Sequence, residues 1–368
     1  MKSTIGEAIT ITLFGESHGL GIGVLIDGLC AGITLDMEYI NHQLNLRKPK
    51  GRISTARKES DEMNIVSGYF NNHTTGTPLC ILMENNNTRS NDYAKTKDIM
   101  RPSHADYTAN MKYLGYQDYR GGGHFSARLT APLVAAGSIA NQILRKKGIF
   151  IGSHLLQIHH LMDDHFAQDE KILRQQIHEM NHAYFPILNS NQQDAMIKLI
   201  EDKANNGDSV GGIIESTIIN LPAGIGEPFF HSIESVLSQL IFSIPGVKGI
   251  EFGLGFDFAN HTGSEVNDPF YMDANKVKTK TNHNGGINGG ISNGMPILLK
   301  TVLKPTASIY KQQETINFAT KEDTILQIEG RHDPAIVHRA RVVIDSVIAI
   351  GLLDLLTQRY GYLWMGEK

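Results

Sequence analysis

The C-terminal segment of residues 335–359 places the strongest limit on the fold, because it is the longest helical pattern in the chain and is apolar on more than one face. Helices of this kind are usually buried, either in a protein core or between subunits. The most apolar part, residues 342–356, contains Asp345 and Asp354 and is shorter than the ~18 residues of an uninterrupted membrane span. We therefore expect a helix that is buried, in the core or between subunits, and no membrane attachment.

Alternating apolar and polar residues predict strands, and apolar residues at helical spacing predict helices. The predicted strands are residues 7–14, 23–29, 210–221, 249–258 and 296–304. The predicted helices are residues 36–46, 128–147, 169–180 and 229–242, the first of them capped by Asp36. Strands and helices do not alternate regularly, and no linker or repeat divides the chain. We predict a single α+β domain over residues 1–368 with a variable, His-rich insert at about residues 151–207.

The charge balance limits the classes of partner. Lys and Arg number 34 against 38 Asp and Glu, a formal net charge of −4, so no basic field indicates binding to nucleic acid or an anionic membrane. The two cysteines, Cys30 and Cys80, cannot form a disulfide framework, and the N-terminus lacks a signal-peptide pattern. We therefore expect a cytoplasmic protein. Glycine is enriched, at 36 of 368 residues, and its clusters indicate loops that approach a ligand closely.

The first motif is GESHG at residues 15–19, directly after a predicted strand. Alone it matches the nucleophile elbow of α/β-hydrolases, with Ser17 as the nucleophile. An elbow needs a following helix, however, and residues 20–24 (LGIGV) are a poor helix start. An ordinary turn with an incidental His18 is a further interpretation.

The second motif is RPSHADY at residues 101–107. His104 is suited to proton transfer near neutral pH, because the unperturbed pKa of histidine is about 6.5. Asp106, two residues later, is placed to orient it. The alternative is a hydrogen-bonded histidine in a turn.

A basic loop follows the first predicted helix. Six cations lie within twelve residues: Arg47, Lys48, Lys50, Arg52, Arg57 and Lys58. Such a loop is either an exposed face, including one that binds RNA, or a clamp for phosphate and carboxylate groups, for which the planar fork of arginine is suited.

Three glycine-rich or small-residue loops indicate anion binding through backbone N–H groups. They are residues 119–128 (YRGGGHFSAR), residues 282–294 (NHNGGINGGISNG) and residues 304–308 (KPTAS). The last offers one cation and two hydroxyl groups, which suits a phosphate.

The final motif, GRHDP at residues 330–334, precedes the long C-terminal helix. Asp333 suits the helix cap and Pro334 the first turn, and capping alone would explain Asp333. Six histidines cluster in the insert: His154, His159, His160, His165, His178 and His182. Their spacing fits no metal-ligand pattern, and several lie in segments that look solvated, so we expect no metal site.

Taken together and in this order, the motifs resemble those of the chorismate synthases over about residues 4–356. Residues 15–28, 123–139 and 331–346 carry the resemblance. It implies a β-α-β sandwich of antiparallel sheets with outer helices, assembled as a homotetramer. The implied reaction is the anti-1,4-elimination of phosphate from 5-enolpyruvylshikimate 3-phosphate to give chorismate, the last step of the shikimate pathway. The implied cofactor is reduced FMN, with NADPH as a reductant in some members.

The resemblance also implies roles for individual residues. His104 would protonate the departing phosphate, and His18 would lie near flavin N1. Asp333 would act as the base together with flavin N5, while Ser17 and Ser126 would form hydrogen bonds to substrate and flavin.

The remaining implied residues bind ligands. Those implied to bind FMN are His124, Phe125, Ser126, Pro245, Gly246, Gly289, Lys304, Pro305, Thr306, Ala307, Ser308 and Arg331. Those implied to bind substrate or NADPH are Arg47, Arg52 and Arg128. His124 and Phe125 stand where Arg and Ser are usual in the family.

Overall fold

The computed structural model describes residues 2–55, 60–86, 97–328 and 332–366. The strands are β1 (Thr4–Ile5), β2 (Thr10–Gly15), β3 (Gly21–Asp27), β4 (Asn64–Ser67), β5 (Tyr69–Phe70), β6 (His73–Thr74), β7 (Leu79–Glu84), β8 (Phe150–Ile158), β9 (Leu161–Met162), β10 (Gly212–Ile219), β11 (Val247–Phe252), β12 (Phe270–Asp273), β13 (Lys276–Thr279), β14 (Ile287–Asn288), β15 (Ile291–Ser292), β16 (Ile297–Leu303), β17 (Gln313–Asn317) and β18 (Glu322–Leu326). The helices are α1 (Met37–Arg47), α2 (Asp106–Tyr113), α3 (Thr130–Lys146), α4 (Glu170–His182), α5 (Ser190–Asn205), α6 (Ile233–Phe242), α7 (Gly263–Val266) and α8 (Val337–Tyr360).

Two five-stranded antiparallel sheets form the framework. The first has the order β1-β2-β3-β7-β4, and the second has the order β11-β16-β10-β8-β9. Because β16 pairs with both β10 and β11, the turns that precede β11 and follow β16 lie at the same end of the second sheet. That end carries part of the candidate site.

The two longest helices lie between the sheets. Helix α3 packs on β2, β3 and β7 of the first sheet, and α8 packs on β8 and β10 of the second. The helices touch each other closely at Gly137, where a Cβ atom would lie 2.2 Å from the Cβ of Ser346. Most residues of both helices are buried, which confirms the prediction of a buried helix at the C-terminus and places it in the core.

The α+β, β-α-β sandwich expected from the resemblance is confirmed. Outer helices are represented by α4, which packs against β8, while α3 and α8 form the layer between the sheets. The predicted cap of the first helix is confirmed at Asp36, whose carboxylate accepts from the Tyr39 N–H at 2.9 Å. The predicted strand over residues 249–258 is too long, because β11 ends at Phe252 and a 3-10 turn covers Gly255–Asn260.

The start of the predicted insert belongs to the second sheet, since β8 (Phe150–Ile158) is paired on both sides, with β10 and β9. Both faces of β8 are covered, and His154 is completely buried there. His154 is therefore a buried residue of the second sheet and not one of the solvated histidines. Among the described residues, no helix is long and apolar enough to cross a bilayer, and no group of three or more His, Cys, Asp and Glu side chains is arranged to hold a metal ion.

Candidate active site

The GESHG loop joins β2 to β3 and is fastened to the glycine turn at residues 120–123. The Ser17 N–H donates to the Gly123 carbonyl at 3.1 Å, and the Ser17 hydroxyl donates to the Gly121 carbonyl at 3.1 Å. The Nδ1 atom of His18 lies 3.1 Å from the same hydroxyl. Ser17 is completely buried, and its loop connects two antiparallel strands rather than a strand and a helix. The hydrolase-elbow interpretation is therefore wrong.

The glycine turn brings the two histidine motifs together. Gly121 has φ +59°, and a Cβ atom there would lie 2.0 Å from Cε1 of His18, so only glycine fits. The next residue, Gly122, has φ +85°, and a Cβ atom there would lie 3.6 Å from Cε1 of His104. His18 and His104, 86 positions apart in the sequence, thus lie beside consecutive residues of one turn.

His104 is held by the carboxylate that its sequence motif indicated. Its Nδ1 lies 2.9 Å from Oδ1 of Asp106, and Arg101 donates to both oxygens of Asp106 at 2.7 Å. Burial raises the pKa of Asp106, but the hydrogen bonds from Arg101 and His104 outweigh it and hold that pKa well below its usual value. An ionised Asp106 accepts the Nδ1 proton, so the opposite ring nitrogen, Nε2, is the one left for a ligand.

The loop of residues 304–308 meets the His104 loop. The Lys304 ammonium donates to the Ser103 carbonyl at 2.6 Å, and the Lys304 N–H donates to the Gly246 carbonyl at 2.9 Å. Burial, followed by the charge of Lys248, lowers the pKa of Lys304. The hydroxyl of Thr306 is buried and has no hydrogen-bond partner among the residues that the structure describes. Predicted ligand residues from three separate motifs thus share one region.

Asp333 lies next to this region. A cavity of about 30 Å³ is lined by Ser308 together with His332 and Asp333. The Oδ1 atom of Asp333 accepts from the Thr55 N–H at 2.8 Å and from Nη1 of Arg339 at 2.7 Å. The predicted capping role of Asp333 is wrong, because the N-cap of α8 is Ile336, which has no side-chain capping bond.

Two of the three predicted anion-binding arginines share one carboxylate. Arg47 donates from Nη2 to Oδ2 of Asp61 at 2.9 Å, and Arg128 donates from Nη1 to Oδ1 of the same residue. All three side chains are buried. Burial raises the pKa of Asp61, but the charges of Arg47 and Arg128 outweigh that effect and lower it. A buried Arg47 favours the anion clamp over an exposed basic face for this part of the loop.

Other predicted residues lie apart from this cluster or make different contacts. Gly289 is in the turn between β14 and β15, at the Ile297 end of β16, whereas Lys304 follows the other end. His124 contacts the Gly15 carbonyl from Nδ1 at 2.9 Å, and Phe125 packs edge-on against Tyr113. Arg52 is exposed. Arg331 lies outside the described residues, as do Arg57 and Lys58.

Three residues that the motifs did not single out complete the arrangement: Asp61, Asn85 and Arg339. The Asn85 amide donates to the carbonyls of Glu16 and Gly19 at 2.9 and 3.0 Å, and its oxygen accepts from Nε of Arg128. The only sequence signal for Asp61 is that it is an acidic residue just after the basic loop. No local pattern marks Asn85 or Arg339.

A buried cluster of histidines, arginines and carboxylates around a glycine turn is typical of an enzyme that acts on a small anionic substrate. A protein-family model described as chorismate synthase matches residues 9–357. The chain therefore belongs to the chorismate synthase family, which is a family of lyases.

Individual relatives agree with this assignment. The chain is 44% identical over 354 residues to the chorismate synthase of Pyrococcus abyssi, which covers 96% of this chain and 97% of that one. It is 43% identical over 364 residues to that of Methanobrevibacter smithii, with coverage of 99% and 98%. A crystal structure of a chorismate synthase superposes with a TM-score of 0.76 at 26% identity, covering 97% of this chain and 94% of that one.

Proposed function

We propose that this chain eliminates phosphate from 5-enolpyruvylshikimate 3-phosphate to give chorismate, and that it requires reduced FMN. Family membership supports the reaction class. The observation that carries the assignment of residues is the meeting of His18 and His104 at the turn of Gly121 and Gly122. In the cell, the reaction would close the shikimate pathway that leads to the aromatic amino acids.

The substrate carries two carboxylates and a phosphate, so its site must provide cations. Arg47, at the end of α1, would meet this need. Arg47 is buried with its Nε unpaired among the described residues, which is unfavourable unless an acceptor arrives. The exposed Arg52 would meet the outer part of the substrate or, in a chain that reduces its own flavin, NADPH.

His104 is the proton donor in this proposal. Asp106 and Arg101 fix the imidazole through Nδ1, so Nε2 faces away from them. A protonated Nε2 would donate to the phosphate oxygen as the C–O bond breaks. The proton stabilises the negative charge that develops on the departing phosphate, which makes it a better leaving group. His18, fixed by Ser17, would control protonation at the flavin from the other side of the glycine turn.

Asp333 is the base. Both of its described contacts, from Thr55 and Arg339, are made to Oδ1, which leaves Oδ2 to receive the proton lost from C6 of the substrate. Arg339 and the Thr55 N–H hold the carboxylate in one orientation, so proton removal does not wait for a rotation of the side chain.

The residues present fit a reduced flavin mononucleotide. The buried, unpaired hydroxyl of Thr306 and the nearby Lys304 would bind the phosphate of the cofactor, and Ser126, Pro245 and Gly246 would contact the rest. Reduced FMN would supply an electron transiently to weaken the C–O bond and regain it, so that no net redox change occurs. Ala307, Pro305 and Ser308 would shape the loop around it.

The proposal is tested by incubating the purified protein with the substrate and chemically reduced FMN without oxygen. We expect equal amounts of phosphate and chorismate, and none with oxidised FMN. A lack of turnover in protein that demonstrably binds FMN would overturn the reaction. A parallel assay with NADPH and oxidised FMN, without an added reductase, determines whether this chain reduces its own flavin.

We also propose a homotetramer, in a cytoplasmic protein. Several large apolar side chains are more than four-fifths exposed in the single chain, among them Phe229, Phe230 and Phe256. Exposed aromatic residues of this size are typical of contacts between subunits. Light scattering should give about four times the mass of one chain, and a monomer at micromolar concentration would contradict the proposal.

A further inference from the structure

Asp61 stands between the two buried arginines that the resemblance assigned to substrate binding. Arg47 is the last residue of α1, and Arg128 lies in the 3-10 turn before α3. Each arginine donates to a different oxygen of the Asp61 carboxylate, so one planar group sets the separation of the two guanidinium groups. The three side chains are at most 7% exposed. Solvent therefore does little to screen or replace these contacts.

The two arginines differ in how many donors remain. All three nitrogens of Arg128 have acceptors: Nη1 binds Asp61, Nε donates to the Asn85 side chain at 3.3 Å, and Nη2 donates to the Glu84 carbonyl at 3.4 Å. Arg47 donates from Nη2 to Asp61 and from Nη1 to the Thr130 hydroxyl at 3.3 Å. Its Nε has no acceptor among the described residues. A buried N–H without an acceptor is rare, and it points to a ligand that supplies one.

The charges lead to the same residue. Two guanidinium groups and one carboxylate leave a net charge of +1 in the trio. Each of the three nitrogens of Arg128 has an acceptor, whereas Nε of Arg47 has none among the described residues. Arg128 is thus a fixed anchor within the protein.

We propose that Asp61 is a positioning residue, which uses Arg128 as its anchor and orients Arg47 so that the Nε of Arg47 receives an anionic oxygen of the substrate. The identity of that anion rests on the proposed function. The carboxylate acts through Arg47 and does not itself touch the substrate. Arg128, in turn, acts through Asp61.

The backbone conformation of Asp61 is consistent with a position that is fixed by its contacts. Its φ is +48°, in the left-handed region that residues other than glycine seldom adopt. Such a conformation persists where surrounding contacts determine it, and these regions are enriched at functional sites. The position of Arg47 also matters beyond its side chain, because its carbonyl accepts from Nε of Arg339, which holds Asp333.

The direction of the change in substrate affinity when Asp61 is neutralised distinguishes two roles for Asp61: orienting Arg47, or competing with the substrate for the arginines. If Asp61 only competed with the substrate for the arginines, its neutralisation would strengthen substrate binding. If it orients Arg47, neutralisation releases a flexible side chain, which must be ordered again by the substrate, and binding weakens. A charged hydrogen bond of this kind corresponds to about ten-fold or more in affinity.

The experiment measures the affinity of Asp61→Asn for 5-enolpyruvylshikimate 3-phosphate by calorimetry, with oxidised FMN bound and no turnover. We expect a Kd at least about ten-fold weaker than that of the wild type, and under turnover conditions a rise in KM that exceeds the fall in kcat. FMN affinity should not change. The matched control is Asp345→Asn, which removes the carboxylate of another buried arginine pair, Arg341 and Asp345, whose carboxylate also contacts Ser153 of β8. It should leave the substrate Kd unchanged even if it lowers Tm.

Asp61→Glu is a second variant, which keeps the negative charge and so tests the inference even if Asp61→Asn does not fold. Its longer side chain displaces Arg47, so its Kd should lie between those of the wild type and Asp61→Asn. A Kd for Asp61→Glu equal to that of the wild type, or a tighter Kd for Asp61→Asn, would overturn the inference. A wild-type protein that binds FMN but not the substrate would instead contradict the proposed function.

Discussion

Arg339 donates a hydrogen bond of 2.7 Å from Nη1 to Oδ1 of Asp333, and its Nε donates to the Arg47 carbonyl at 2.9 Å. One side chain of α8 thereby connects the proposed base to Arg47, the first cation of the basic loop. Asp333 thus binds the side chain of Arg339 and does not cap α8, whose N-cap is Ile336, although its position in the sequence suits a cap.

Replacement of this arginine should impair proton removal. In Arg339→Gln, Asp333 loses a charged hydrogen bond and can rotate, so we expect kcat to fall about ten- to hundred-fold. Steady-state kinetics with reduced FMN measures it. The control is Arg359→Gln, at an exposed arginine near the end of the same helix. Equal kinetics in Arg339→Gln and wild type would show that Asp333 does not depend on Arg339.

Loss of the proposed proton donor should affect chemistry and leave binding intact. His104→Ala removes a general acid, whose contribution is typically about 10²- to 10⁴-fold in rate. We expect kcat to fall within that range while Tm and FMN affinity stay near wild type, because His104 is partly exposed and is not part of the core. His159→Ala, at an exposed histidine in the turn after β8, is the control. A wild-type rate in His104→Ala would remove the proton-donor role.

The sequence is informative where the chemistry lies within one contiguous segment. The pairing of His104 with Asp106 can be expected because the two are only two positions apart, and the cap at Asp36 follows from local backbone geometry. The family resemblance adds the expectation that His18, His104 and Lys304 serve one site. The resemblance does not, however, say which atoms of these residues contact one another.

The contacts that the sequence does not reveal depend on long-range pairing. Asn85 reaches the GESHG loop because Gly21 of β3 pairs with Glu84 at the end of β7. Asp333 resembles a cap in the sequence, and nothing local marks its partner, Arg339 in the first turn of α8, as a donor to it. The burial of His154 likewise depends on long-range packing, because both faces of its strand, β8, are covered by other elements.

Gly121 should tolerate no side chain. In Gly121→Ala, the positive φ and the overlap with the His18 ring act together, because the Cβ would lie 2.0 Å from Cε1. The positive φ alone costs about 1 kcal/mol, and displacement of His18 adds to it. We expect a clear loss of stability in urea unfolding and a loss of turnover.

The control for this change is Gly148→Ala. Gly148 has φ +77°, and a Cβ atom there would have no other atom within 4 Å, so the substitution isolates the backbone effect. A loss of stability in Gly121→Ala no larger than that in Gly148→Ala would mean that the His18 ring moves aside freely. Turnover should remain near wild type in the control.

The pH dependence of stability should contain a contribution from the buried His154. Its Nδ1 lies 3.0 Å from Asp163 and its Nε2 lies 3.0 Å from Glu215, which also contacts His165 at 2.6 Å. Burial lowers the pKa of His154, but the two carboxylates outweigh it and raise the pKa above 6.5. A raised pKa in the folded state means that the stabilisation is complete below pH 6.5 and is lost as pH rises through the folded-state value.

The carboxylate partner has the opposite dependence. Burial raises the pKa of Glu215, but hydrogen bonds from His154 and His165 outweigh it and lower the pKa to about 2. Its contribution is present above pH 4.5 and is lost as pH falls toward 2. Urea unfolding from about pH 4 to 9 should therefore give the greatest free energy of unfolding between pH 4.5 and pH 6.5, where both contributions are present. The free energy should decline on the alkaline side, as His154 loses its proton. In Glu215→Gln we expect a loss of about 3–5 kcal/mol near pH 6, because a buried charge loses its partner, and a weaker alkaline decline. An alkaline slope identical to that of the wild type would show that His154 does not titrate in this range.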